Sequence, residues 1–181
     1  MLACFEPFIT YWQALRSDAL VPTRADFNPV RVKEFMGRIV IVERLSRDHF
    51  YARLVGTEIV ERVGREQTGA DFLTLLETPE GREEQLAFYN AVLDKPCGAY
   101  GKRNVITSKG TYHAKFLLLP ISHQASHAGE FFAVFDFNQS LAQLSGVKFE
   151  RFGALVRQVM LDIGAGVPEA YAHFPHEPLS R

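Results

Sequence analysis

"FYARLVGTEIVERVGREQTG" spans residues 50–69, and its reading decides the fold. The first residues, "FYARLVG" (50–56), have the β-branched and aromatic character of a strand. The chain turns at Gly56 and then reads as barely two turns of helix, "TEIVERV". Thr57 offers a hydroxyl that can cap that helix. Gly64 suits the left-handed position that closes one, and Thr68-Gly69 marks a further break. A strand that leaves its sheet for so short a helix fits either a catalytic loop or the wall of a ligand pocket.

The strand has a partner immediately upstream. "RIVIVERL" (38–45) is strongly β-branched, and "RDHF" places a turn at Asp48, so the two runs form a hairpin. The first run is apolar on both alternations, so both of its faces need cover. One cover is the N-terminal segment "EPFITYWQALRSDAL", where Phe8, Trp12, Leu15 and Ala19 recur at helical spacing. Pro7 suits its first turn, Pro22 lies beyond its end, and "PTRADFNP" is a loop.

Downstream, "GADFLTLL" is another short helical turn. "ETPEGREEQLAFYNAVLDKP" is a clear helix, capped by Thr78, started by Pro79 and striped by Leu86, Tyr89 and Leu93. Three strands follow at "YGKRNVI" (100–106), "TYHAKFLLLPI" (111–121) and "EFFAVFDF" (130–137). A turn at Lys109-Gly110 pairs Ile106 with His113 and sends Tyr112, Ala114, Phe116 and Leu118 to one face. "VKFERFGALVRQVMLDIG" sets Phe152, Leu155, Val156, Val159 and Ile163 on one helical face, which predicts a C-terminal helix. "PEAYAHFPHEPLSR" reads as a loosely held tail. The order predicts an α+β fold: a five-stranded antiparallel sheet, short helices on one face, and N- and C-terminal flanking helices. The divisions are a flanking helix and loop (1–30), the sheet domain (31–140), and a helix with a flexible tail (141–181).

The chain has 181 residues, 47% hydrophobic and 23% charged, with a net charge of -1. These values fit a globular domain and give no charge excess for nucleic-acid binding. No apolar run reaches membrane-span length, and the N-terminus lacks the basic and apolar regions of a secretory signal. Cys4 and Cys97 form no C-x-x-C pair, so they read as reduced thiols in a cytoplasmic protein.

The stretches "YWQALR" (11–16), "PTRADFNP" (22–29), "RIVIVE" (38–43) and "FYARLVGTEIVERVGREQTG" (50–69), with "LLLPI" (117–121), resemble the PAS superfamily. They look most like PAS_5, a family of bacterial PAS-like domain proteins, over about residues 8–140. The resemblance implies five antiparallel strands around short helices, with a small internal pocket. The helix after the second strand is then a pocket wall. It also implies a sensory or interaction module that binds a small molecule or a signalling protein. PAS domains variously hold haem, flavin or metabolites, and nothing in this sequence selects a cofactor. Fold alone does not fix function.

Short helices fill space poorly, so a pocket is expected between the sheet and residues 57–93. Its candidate lining is Val55, Ile59, Val63, Phe72, Tyr89, Tyr112 and Phe116, with Arg53 and Arg103 as polar anchors. An arginine facing apolar side chains needs an anion. It can grip a ligand carboxylate or phosphate, or pair with a structural acid such as Asp71 or Glu58.

Other constellations are weaker. The glycines form neither a Rossmann fingerprint nor a P-loop. His123 and His127 sit in a polar linker without a third ligand, so no metal site is expected. Strand alternation turns His113 away from the aromatic face, which disfavours a haem ligand there. No nucleophile elbow is present, and Cys97 lacks an activating neighbour, so no catalytic residue is assigned. The rival readings are an enzyme using the same pocket and a ligand-free interaction adaptor with a filled core. The stripes of Phe8, Trp12 and Leu15 and of Phe152, Leu155, Val156 and Val159 exceed what one small sheet needs, which predicts a homodimer.

Overall fold

The computed structural model describes residues 2–75, 78–123, 126–137 and 146–179, with the side chains of 123 and 126–128 excepted. Helix α1 (Glu6–Arg16) leads into a string of 3-10 turns. The hairpin β1 (Ile39–Ser46) and β2 (His49–Val55) comes next, followed by the short α2 (Thr57–Val63) and the longer α3 (Pro79–Asp94). Strands β3 (Gly98–Thr107), β4 (Gly110–His123), β5 (Ser126–Phe137) and β6 (Phe149–Asp162) follow, and β7 (His176–Pro178) ends the order. The sheet runs β2-β1-β5-β4-β3-β6-β7.

The first five positions reproduce the expected antiparallel sheet. The sheet does not stop there, however. The predicted C-terminal helix is β6, paired antiparallel along the whole of β3, and β7 joins β6 in parallel. The sheet is therefore mixed and seven-stranded. Spacing misled here for a physical reason. Register shifts between Lys102 and Arg103, Arg103 and Val105, and Ile106 and Thr107 insert extra residues into β6. Each insertion resets the alternation. Phe149 and Phe152, three apart, consequently pack on the same side. The tail is also docked. Met160 N–H donates to Pro175 O at 2.8 Å, and the Tyr100 hydroxyl donates to Glu177 Oε1 at 3.0 Å.

Both sheet faces are covered, as the two-sided apolar pattern of β1 requires. Ile39 and Ile41 join Phe8, Trp12 and Phe132 under α1. Val40 and Val42 join Ile59, Phe88, Tyr89 and Phe131 under α2 and α3. Trp12 is fully buried, and its indole Nε1–H donates to Pro120 O at 2.9 Å. Phe8 and Trp12 of the α1 stripe are thus consumed within their own chain, while Leu15 is half-buried and Ala19 exposed.

The opening stretch needs its glycines for two different reasons. Gly56 has an ordinary φ of -67°, and Gly56 rather than Thr57 is the N-cap residue. No side chain caps α2, so the expected Thr57 cap is corrected. A Cβ at Gly56 would lie 2.4 Å from the Gly37 carbonyl carbon and oxygen. Gly56 is there for a close backbone approach. Gly64 has φ +76° and donates its N–H to Val60 O, so it is a left-handed helix stop.

The β3–β4 turn falls at Ser108-Lys109, with Thr107 opposite Gly110 and Val105 opposite Tyr112. The expected pairing was displaced by two residues, an even shift that preserves which face each side chain occupies. Ala114, Phe116 and Leu118 accordingly pack on the α3 side, with Tyr112 partly buried against them. His113 is exposed.

Candidate functional site

The two expected anchor arginines have opposite fates. Arg53 donates from Nε to the Glu43 carboxylate and lies over the Tyr51 ring, 4.8 Å from its centroid. The Glu43 hydrogen bond raises its pKa above the ordinary guanidinium value. Neighbouring Glu130 takes Arg24 at 3.0 Å. The charge of Arg53 is therefore matched by a structural acid, Glu43 rather than Asp71 or Glu58. Those two pair with Arg82 and Arg62.

Arg103 sits in β3 on the side facing α3 and is only 9% exposed. Its Nη2 donates to Gly153 O at 3.3 Å, and its cation lies 5.2 Å from the Phe152 ring centroid. Nε has no hydrogen-bond partner, and no ion pair reaches this residue among the described residues. Burial lowers its pKa, because desolvation disfavours the charged form.

Arg103 opens onto a cleft of about 720 Å³. One wall is α3, presenting Thr78, Glu80, Gly81, Glu84, Gln85, Ala87 and Phe88. The opposite wall is β6, with Phe152, Gly153, Ala154, Leu155 and Gln158, and Tyr171 and Phe174 from the tail complete it. The start of α3 is fixed by Thr78, whose Oγ1 accepts from Gly81 N–H at 3.1 Å. Tyr171 is held edge-on to Phe88, ring centroids 5.4 Å apart.

Two amides share the cleft. Gln85 and Gln158 are 7% and 6% exposed. Gln158 Nε2 reaches only the Met160 sulfur, a weak acceptor, at 3.4 Å, and Gln85 makes no side-chain hydrogen bond among the described residues. Three buried polar side chains thus converge on one apolar-walled space with donors to spare.

The other expected lining residues lie elsewhere. Ile59, Val63, Tyr89 and Phe116 are buried in the core beneath α2 and α3, where Val55, Phe72 and Tyr112 pack against it. Tyr89 touches Phe50, Phe72, Phe88 and Phe131, so rings occupy the centre of that region. Burial pushes its hydroxyl pKa up to about 12, which keeps it neutral. Of the nine expected residues, Arg103 alone lines the cleft. The residues missed were Phe88, Gln85, Phe152, Gln158, Tyr171 and Phe174. The last two had a signal: aromatics three apart in "YAHF", in a segment read as loose.

Burial pushes the Cys97 pKa up to about 12, and burial also raises that of Cys4. The described residues contain no cluster of three metal-ligating side chains, and the side chains of His123 and His127 lie outside them. No helix among the described residues is long and apolar enough to cross a membrane.

A sheet ordered β2-β1-β5-β4-β3, with short helices after its first hairpin, defines a PAS-like domain, here lengthened by β6 and β7. The chain belongs to the PAS_5 family of PAS domains, whose family model matches residues 3–135. PAS domains are in general sensory and regulatory modules. No curated protein matches the chain. The family match ends before β6, so one wall of the cleft comes from residues beyond it.

Proposed function

We propose that this chain is a PAS-type regulatory module that binds a small molecule in the cleft between α3, β6 and the tail. One observation carries the reading. Arg103 is a buried cation in a roomy cleft, with an unused donor and no counter-ion among the described residues. A buried charge is normally paired, and a bound ligand supplies the pair. Occupancy would fasten the tail and β6 to α3, and a partner protein could read that change. The proposed homodimer uses Leu155 and Val156, which are 42% and 52% exposed on β6.

A second reading draws on the ring-filled core around Tyr89: an adaptor that binds protein and no small molecule. Protein-observed NMR with a fragment panel of anions, cations and neutral compounds separates the two. The regulatory reading expects saturable shifts concentrated at 78–88, 152–158 and 171–174. A panel that leaves those residues unmoved refutes it in favour of the adaptor.

A further inference from the structure

Resting on that reading of the cleft, we infer that its ligand is a small organic monocarboxylate with an apolar or aromatic body, held by the free edge of the Arg103 guanidinium. The anion follows from the chemistry of the residue. Arginine is a planar fork of five donors that stays charged in proteins. Among the described residues only one of these, on Nη2, has a protein acceptor, at 3.3 Å. Nε is buried without a partner, and Nη1, which is not buried, makes no hydrogen bond among the described residues, so Nη1 is a donor that a carboxylate oxygen can take.

The body follows from the walls. Phe88, Phe152, Tyr171 and Phe174 surround the space, and such rings favour an apolar or aromatic group. The single charge follows from the rim. Glu80 and Glu84 are exposed at the cleft on the first turns of α3. A polyphosphate entering past them meets like charge, whereas one carboxylate reaching inward to Arg103 is matched once. The amides of Gln85 and Gln158 can then select among carboxylates that carry a further polar group.

The test uses phenylacetate, its neutral isostere 2-phenylacetamide, and inorganic phosphate, titrated into the full chain by calorimetry. The inference expects phenylacetate to bind about tenfold to hundredfold more tightly than the amide, the range for one charge-assisted contact. Phosphate should bind more weakly than phenylacetate. This comparison needs no variant. Arg103→Met, checked for folding by its urea melt, should erase the preference and leave any weak amide binding in place. Equal binding of acid and amide in the wild type overturns the carboxylate assignment and leaves the cleft reading standing. Tighter binding of phosphate overturns it as well. Should neither phenylacetate nor its amide bind, the assignment falls, and the fragment survey decides separately whether the cleft binds anything.

Discussion

Replacing Arg103 by methionine should raise the stability of the unliganded protein. Arg103 is 9% exposed, and desolvating an ion costs several kcal/mol even after relaxation. Two contacts offset this. The bond to Gly153 O is long at 3.3 Å, so it supplies about 1.5 kcal/mol, the low end for a charged donor. The Phe152 face, 5.2 Å away, contributes about 1 kcal/mol. Methionine keeps the apolar stem and removes the charge, and burying a neutral chain of similar length is favourable. The expected net gain is about 1–2 kcal/mol, in line with other buried ions replaced by apolar residues. At about 2–4 °C per kcal/mol for a chain of this size, Tm rises by roughly 2–8 °C. Urea unfolding followed by far-UV circular dichroism and by the emission of the single, fully buried Trp12 measures it. A loss of more than about 1 kcal/mol would refute the reasoning, because it would make Arg103 a satisfied structural cation.

Gly56→Ala should destabilise by about 1–3 kcal/mol, since its Cβ meets the Gly37 backbone at 2.4 Å, and an unchanged urea midpoint would show that the loop yields freely. Asp94 is held below its ordinary pKa: burial opposes this, but hydrogen bonds from Arg44 and Arg47 prevail. Its contribution is therefore present above the unfolded carboxylate pKa and lost as pH falls through the lower folded value. Asp94→Asn should cost well under about 1 kcal/mol at pH 7, as exposed pairs do, and progressively less as the pH is lowered into the acid range, by parallel urea melts. Cys97, 1% exposed and with its pKa near 12, should react with iodoacetamide at pH 8 far more slowly in the native than in the urea-unfolded chain. Mass measured across concentration tests the homodimer. Leu155→Ser with Val156→Ser should abolish a dimer that uses β6, and a wild-type monomer throughout would end that proposal.

Much of the fold could be read because local pattern and tertiary role agree there. The two-sided apolar run Ile39–Val42 feeds two cores, one on each sheet face. Thr78-Pro79 starts α3 by cap and fixed φ alone. Arg103 was legible because strand alternation assigns its face, and a two-residue slip in pairing left that face unchanged. The rest depended on what a single segment cannot reveal. Bulges scrambled the period of β6 into a helical spacing, so the strand that walls the cleft was read as a flanking helix. The cleft itself arises only when β6 extends the sheet past β3 and the tail folds back onto Phe88. The space expected between the sheet and residues 57–93 opens beside residues 78–88 of that stretch, whereas around Tyr89 rings pack on one another, and which part stays open is not written in spacing.

The central claim is that the Arg103 guanidinium, which has no counter-ion among the described residues, takes one from a ligand in the cleft. Side-chain ¹⁵N NMR observes that group directly, with its resonance assigned by its loss in Arg103→Met. The account predicts that the Arg103 Nε–H signal moves downfield and saturates as phenylacetate is added, and stays in place with 2-phenylacetamide. A signal that holds still while phenylacetate shifts other residues would contradict it, because the acid would then bind without Arg103.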